Sequence, residues 1–186
     1  MKTETHLKYA KVLANEYFSH SRLDSFLFIL GSVLPDYNPF SYLKSFKTKP
    51  FFGHNWDNRK DYILSETKKL KQKNLNPFQL GILVHYICDA FTHTHNKEFT
   101  GSLLQHSAYE KALHNYFDRQ TKNNDFSVRN TNDKITDFSD LHQQYIKRTP
   151  CQDTDFDFIQ AAVRCVLRHG IPHDRKPQTT PINKAL

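Results

Sequence analysis

Apolar residues recur at helical spacing through most of the chain. In the first segment they follow one another from Leu7 to Tyr17 at intervals of three or four, with charged residues between them, which predicts a helix from about Thr5 to Phe18. The same periodicity predicts further helices over about 21–33, 56–71, 77–93, 102–120, 137–147 and 154–168, the last closed by Gly170.

The second of these segments, FLFILGSVL, is apolar on several faces, so we expect this helix to be central. We expect it to end at Leu34-Pro35-Asp36, because the residue before a proline avoids helical geometry. The aromatic stretch from Tyr37 to Gly53 is then a connection that could form a pocket wall.

Length and composition favour one helical domain. A chain of 186 residues with 15 Phe and nine Tyr can bury a ring-rich core, and five Gly are too few for a turn-dense sheet protein. We therefore predict an all-α fold: a single-domain multi-helix bundle over residues 1–171, followed by a flexible basic tail over 172–186.

The formal net charge of +7 would attract anionic partners such as phosphate esters, acidic lipid surfaces or nucleic acid. It is equally consistent with a solubilising surface, because no long run of like charge occurs. Neither a signal peptide nor a transmembrane stretch is recognisable, and three cysteines without CxxC spacing indicate reduced thiols. We expect a cytoplasmic protein; nothing in the sequence predicts its oligomeric state.

Two pairs of polar residues stand out because their spacing places each pair on one helical stripe. His85 and Asp89 are four residues apart in an otherwise apolar segment, and His106 and Glu110 repeat the spacing in the next predicted helix. Either pair alone could be an ordinary buried hydrogen bond. Two pairs on consecutive helices could face each other, and histidine with carboxylate is a ligand mixture that Zn²⁺ accepts.

Other candidate ligands are weak when taken singly. His93 and His95 are two residues apart, so at most one of them lies on a shared helical stripe if the helix continues. His54, His6 and Asp36 complete the candidates, although a lone histidine is more often a surface or hydrogen-bonded residue.

Taken together, these residues resemble the zinc-dependent phospholipase C family over about residues 5–115. The matching residues stand in the family's order: His6, Pro35-Asp36, His54, HYICD (85–89), His95-Asn96 and HSAYE (106–110). The separations within 85–95 and 106–110 also agree with the family. His93 has no counterpart in the family pattern, so the resemblance selects His95.

The resemblance implies the metal ligands. One zinc would be held by Asp36, His54, His85 and Asp89, a second by His95, His106 and Glu110, and a third by His6, a shared oxygen of Asp89 and the α-amine of the mature chain.

The third site is where this chain departs from the secreted relatives. Lys2 disfavours removal of Met1, and the amine stands only five residues before His6, closer than in those relatives. A segment this short has little conformational choice. We therefore expect two tightly bound zinc ions and a third that is weak, absent or completed by water.

The implied function is hydrolysis of a phosphodiester, with a phospholipid headgroup as one candidate substrate. Asp36 resembles a carboxylate ligand that also accepts a proton from the attacking water, although it could be a ligand only. Tyr37 and Phe51 match aromatic residues that contact a quaternary ammonium headgroup, with core packing as the alternative. A zinc-dependent single-strand nuclease, or a non-catalytic zinc-binding protein of the same fold, remains an open alternative.

Overall fold

The computed structural model describes residues 1–37, 54–70, 72, 75–122 and 137–171. Within these ranges the chain is helical and contains no strand, which confirms the all-α class. The helices are α1 (Thr3–Tyr17), α2 (Arg22–Tyr37), α3 (Trp56–Leu70), α4 (Pro77–Ala90), a 3₁₀ helix (His93–His95), α5 (Leu103–Lys122), α6 (Phe138–Ile146) and α7 (Gln152–Gly170).

Helix α4 is the central element of the fold. It packs against α1, α2, α3 and α7, and an unbroken run of its residues from Leu83 to Ala90 is buried. The prediction that α2 would be central is wrong, because α2 buries only part of its apolar surface and leaves Leu23 and Phe26 65% and 60% exposed. Apolar content alone did not distinguish the two helices.

Local sequence fixes both ends of α4. At its start, the side chain of Asn76 accepts a hydrogen bond from the backbone of Gln79, whose side chain bonds back to Asn76, and Pro77 occupies the first turn. At its end, the side-chain amide of Asn96 donates to the carbonyls of Ala90 (3.1 Å) and Thr92 (2.9 Å). The helix therefore stops at Ala90 instead of continuing to His93, and the 3₁₀ helix begins a new direction.

Helix α2 continues through Pro35 to Tyr37, four residues beyond its predicted end at Val33. A proline removes one backbone hydrogen bond, and its effect on the preceding residue is a preference that packing can override. Here the backbone of α2 lies directly against α4: a Cβ on Gly31 would lie 2.2 Å from the carbonyl oxygen of Phe78. The extra turn carries Asp36 toward α4.

The final helix also differs from its prediction in one detail. Gly170 is part of α7 and does not terminate it in a left-handed conformation; a side chain there would meet Leu80 at 2.5 Å. Toward its middle, α7 is joined to α1 by an ion pair between Arg164 and Glu16. Gly170 therefore packs closely against the leucine side chains of neighbouring segments, whose ends would have to move to admit a Cβ.

The remaining sequence-based expectations have mixed outcomes. All three cysteines are free. None of the helices within the described residues has the length and apolar character needed to span a bilayer. The predicted basic tail and most of the connection after Tyr37 lie outside the described residues.

The crossing of α2 and α4 provides a test of the fold. Gly81→Ala would place a Cβ 2.3 Å from the carbonyl oxygen of Phe28, and only movement of one backbone could relieve this contact. We expect a loss of about 2 kcal/mol or more in the free energy of unfolding, measured by urea denaturation. Gly101→Ala is the control, because the nearest atoms there belong to the movable end of the Phe99 ring. Equal effects of the two substitutions would contradict this packing.

Candidate metal centre

Four side chains from three segments meet beside the centre of α4. Asp36 comes from the last turn of α2, His54 precedes α3, and His85 and Asp89 lie one turn apart on α4. One ligand atom of each lies within 4.8 Å of the others. The Nε2 atom of His85 is 3.0 Å from His54 Nδ1, 3.3 Å from Asp89 Oδ2 and 3.5 Å from Asp36 Oδ1. We call these four residues the first group.

The orientation of His85 is set from the opposite side of its ring. Its Nδ1 lies 2.9 Å from the carbonyl oxygen of Ser32 on α2, so Nδ1–H donates and Nε2 faces the other members of the first group. The carboxylate oxygens and imidazole nitrogens that converge here form a set of ligand atoms that a cation would stabilise. The donor set of two histidines and two carboxylates fits Zn²⁺, and the backing carbonyl is typical of zinc-bound histidine.

A second group consists of His95, His106 and Glu110, which lie close enough together to share an ion. Glu110 Oε1 is 3.0 Å from His95 Nε2 and 3.4 Å from His106 Nε2. His106 and Glu110 are one turn apart on α5, as the sequence predicted. All three members of this second group are half-buried, whereas Asp36 is the only half-buried member of the first group.

Both groups open on one cleft. This cleft has a volume of about 570 Å³. It is lined by five residues of the two groups, by the N-terminal residues and by Tyr37: Asp36, His54, His95, His106, Glu110, Met1, Lys2, Thr3, Glu4 and Tyr37. A substrate could therefore reach the half-buried second group from solvent. Access from solvent is what a catalytic zinc site requires, whereas structural zinc sites are closed.

Asp89 connects the two groups. Its Oδ2 faces His54 Nδ1 at 3.1 Å, whereas its Oδ1 faces His6 Nε2 at 3.1 Å and the amine of Met1 at 2.7 Å. The Met1 amine also lies 2.7 Å from His95 Nε2 and 3.0 Å from Glu110 Oε1. The residues predicted for a third zinc therefore lie between the other two groups.

The short N-terminal segment brings the Met1 amine to the cluster, although we expected it to have little conformational choice. Helix α1 begins at Thr3, not Thr5, and the carbonyl of Lys2 already accepts the backbone N–H of Thr5 (2.8 Å). Met1 therefore lies directly at the end of the helix, where it is buried. How many zinc ions bind stays a prediction.

Charges within the cluster compensate one another. Burial alone lowers the pKa of the Met1 amine, but Asp89 and Glu110 outweigh burial and raise it to about 10. Burial raises the pKa of Asp89, yet the Met1 ammonium and the surrounding histidines hold it well below its usual range. Burial and the charge of His85 lower the pKa of His6 to about 4. At neutral pH the metal-free cluster thus contains a buried ammonium that pairs with carboxylates.

The other predicted site residues have separate outcomes. Tyr37 lines the cleft and is 72% exposed, so it is not part of the described core, and Phe51 lies outside the described residues. The ring of His93 packs against Phe99 and Tyr109, away from both groups.

Thr3 was missed by sequence reasoning. Its hydroxyl donates to Asp36 Oδ2 at 2.7 Å, a contact between segments 33 residues apart that no local pattern reveals.

Comparison with known proteins agrees with this geometry. A family model described as zinc dependent phospholipase C matches residues 5–151, which include both groups and extend through α6. The chain belongs to the zinc-dependent phospholipase C family. No curated protein and no solved structure was matched. The all-α fold is that expected of the family.

Asp89→Ala tests whether this family member ties metal binding to folding. Loss of the shared carboxylate should remove zinc and lower stability by about 3 kcal/mol or more, because it removes the central negative charge that pairs with the buried ammonium and histidines. Elemental analysis after zinc-supplemented refolding, together with thermal denaturation, measures both effects. We expect at least two zinc ions in the unmodified chain. Less than about one equivalent there would rule out the metal centre.

The matched control is Asp118→Ala, which removes a partly exposed carboxylate paired with Lys8 at 2.8 Å. Surface pairs contribute about 1 kcal/mol or less. Its zinc content should equal that of the unmodified chain.

The Met1 amine can be tested by extending the chain with Gly-Ser before Met1. An ammonium has no lone pair, so an amine with a pKa of about 10 must release its proton to bind zinc, and zinc bound through it should tighten as pH rises toward that value. The extension should remove the zinc shared by His6 and Met1, or weaken it. Graded chelation followed by metal analysis at pH 6.5 and 8.5 tests both effects; an extended chain with unchanged zinc content and pH dependence would contradict them.

Proposed function

We propose that this protein is a zinc-dependent phosphodiester hydrolase of the phospholipase C type. The observation that carries this proposal is the convergence of seven histidine and carboxylate ligands in two groups, joined through Asp89 and open to one cleft. When bound, zinc ions would lower the pKa of a water molecule and offset negative charge on a phosphoryl group. Membership in the family agrees with this chemistry.

Asp36 is the residue we propose as proton acceptor. Burial raises its pKa, but a hydrogen bond from His54 and the charges of His6 and His85 lower it to about 2, so the carboxylate is ionised at neutral pH. Thr3 donates to Oδ2 of Asp36, while Oδ1 faces the first group. This orientation holds one oxygen at the metal ligands and fixes the other through Thr3, and Asp36 lines the cleft.

Tyr37 is the residue we propose for headgroup recognition. Its ring lies at the end of α2, on the wall of the cleft and largely exposed to solvent. The face of an aromatic ring attracts a quaternary ammonium group such as that of choline, with an interaction of about 0.5–1 kcal/mol at exposed positions. Phosphorylcholine esters are accordingly the first substrates to examine.

A single-strand nuclease is the second candidate, supported by the net charge of +7. Positive charge favours a polyanionic backbone, and such binding weakens steeply as salt concentration rises. A small zwitterionic phosphodiester would show little of this dependence.

The test is hydrolysis of p-nitrophenylphosphorylcholine by the zinc-loaded protein. Asp36→Asn should lower kcat on the order of 10²–10⁴-fold, because the amide does not accept the proton. A chelator should abolish activity, and Asp118→Asn should leave it unchanged.

Three results would count against the proposal. Activity that persists with chelator or in Asp36→Asn would reject the proposed site. Salt-sensitive activity confined to single-stranded nucleic acid would favour the nuclease. A zinc-loaded protein that cleaves neither substrate would be a non-catalytic member of the family.

A further inference from the structure

Asp155 is a fully buried carboxylate that belongs to neither group of metal ligands. It lies in the first turn of α7, has 0% exposure, and accepts three hydrogen bonds. Tyr145 of α6 donates to Oδ1 at 2.8 Å; Tyr109 of α5 and the backbone N–H of His93 each donate to Oδ2 at 3.0 Å. One side chain therefore joins four helical segments.

Two of these three donors lie within two residues of ligands of the second group. His93 begins the 3₁₀ helix that ends at His95, and Tyr109 immediately precedes Glu110 on α5. The shared oxygen Oδ2 of Asp155 thus links the segment that carries His95 to the helix that carries Glu110. The third donor, Tyr145, anchors Oδ1 to a helix without ligands.

We propose that Asp155 is a positioning residue for the second metal group. It holds the 3₁₀ helix against α5, so that His95 meets His106 and Glu110 at one point. The proposal rests on the proposed function, because it requires a metal ion in the second group. The loss of a group that hydrogen-bonds and orients metal ligands typically weakens metal binding by about 10–100-fold.

Hydrogen-bond chemistry explains why a carboxylate suits this position. All three partners approach as donors, and an ionised carboxylate offers about four acceptor sites and no donor. Alanine would leave three donors without this acceptor, one buried and two part-buried. Asparagine could keep its oxygen toward Tyr109 and His93, while its amino group faces the hydroxyl of Tyr145, which can accept instead of donate. Asparagine should therefore restore much of the geometry that alanine loses.

The main experiment compares two tyrosine variants that each remove one hydroxyl from the same carboxylate. Tyr109→Phe breaks the connection to α5, whereas Tyr145→Phe breaks only the connection to α6. We expect Tyr109→Phe to weaken the second-group zinc at least about 10-fold in competition with a chelator. Tyr145→Phe should change it much less, and the first-group zinc should be unaffected in both variants.

Asp155 variants provide the second arm. Asp155→Ala should lose about one zinc equivalent selectively, and Asp155→Asn should recover most of it. Asp153→Asn is the matched control, because Asp153 lies in the same turn of α7 and accepts from a tyrosine, Tyr116, but lies apart from both groups. Its zinc affinity should equal that of the unmodified chain.

Each other outcome overturns the proposal. If both tyrosine variants lose zinc equally from both groups, in proportion to their loss of stability, Asp155 serves general stability only. If zinc affinity is unchanged in all variants, Asp155 has no role toward the metal. If the unmodified chain binds no zinc, the proposed function fails as well, and this result is distinct from the other two.

Discussion

The fold depends on the burial of one carboxylate, that of Asp89. An ionised carboxylate removed from water costs several kcal/mol unless charged or donor groups surround it. Here His54 and His85 face one oxygen, and His6 and the Met1 amine face the other. These partners come from the N-terminus, from α1, from α4 and from the segment just before α3, so compensating one charge fixes the relative positions of distant segments.

The shared carboxylate also makes the two groups interdependent. A charge that enters either group changes the field at Asp89 and hence at the other group, at distances where low dielectric makes such effects large. The groups differ in access, since the first is mostly buried and the second half-buried along a cleft. The buried first group is therefore suited to holding charge, and the half-buried second group is suited to exchanging ligands with solvent.

Local spacing predicted the helices and two pairs of ligands, whereas the remaining ligands were predicted only through the resemblance to the family. His85 with Asp89 and His106 with Glu110 could be paired from helical geometry alone, and the structure brings each pair together. Residues whose position depends on tertiary contacts were not predictable. Asp155 resembles any acidic residue in a first helical turn, and only the packing of α5 and α6 shows that it is buried among three donors.

The same distinction explains the incorrect boundaries. Pro35 is a local signal for a helix end, but the contact of α2 with α4 is non-local and keeps the helix intact. The reach of Met1 was misjudged for a similar reason: an error of two residues in the start of α1 changes where the chain terminus points. A small error in a helix boundary thus becomes a large error in the position of a chain end that contributes to the site.

The two glycines at the crossing of α2 and α4 have a consequence for protein design. Gly31 and Gly81 allow the two backbones to touch, and this contact brings the carbonyl of Ser32 to the ring of His85. Grafting only the histidines and carboxylates onto another helical bundle would therefore leave His85 without the acceptor that selects its tautomer. A transplantable version of this centre must include both glycines, although neither contacts a ligand atom.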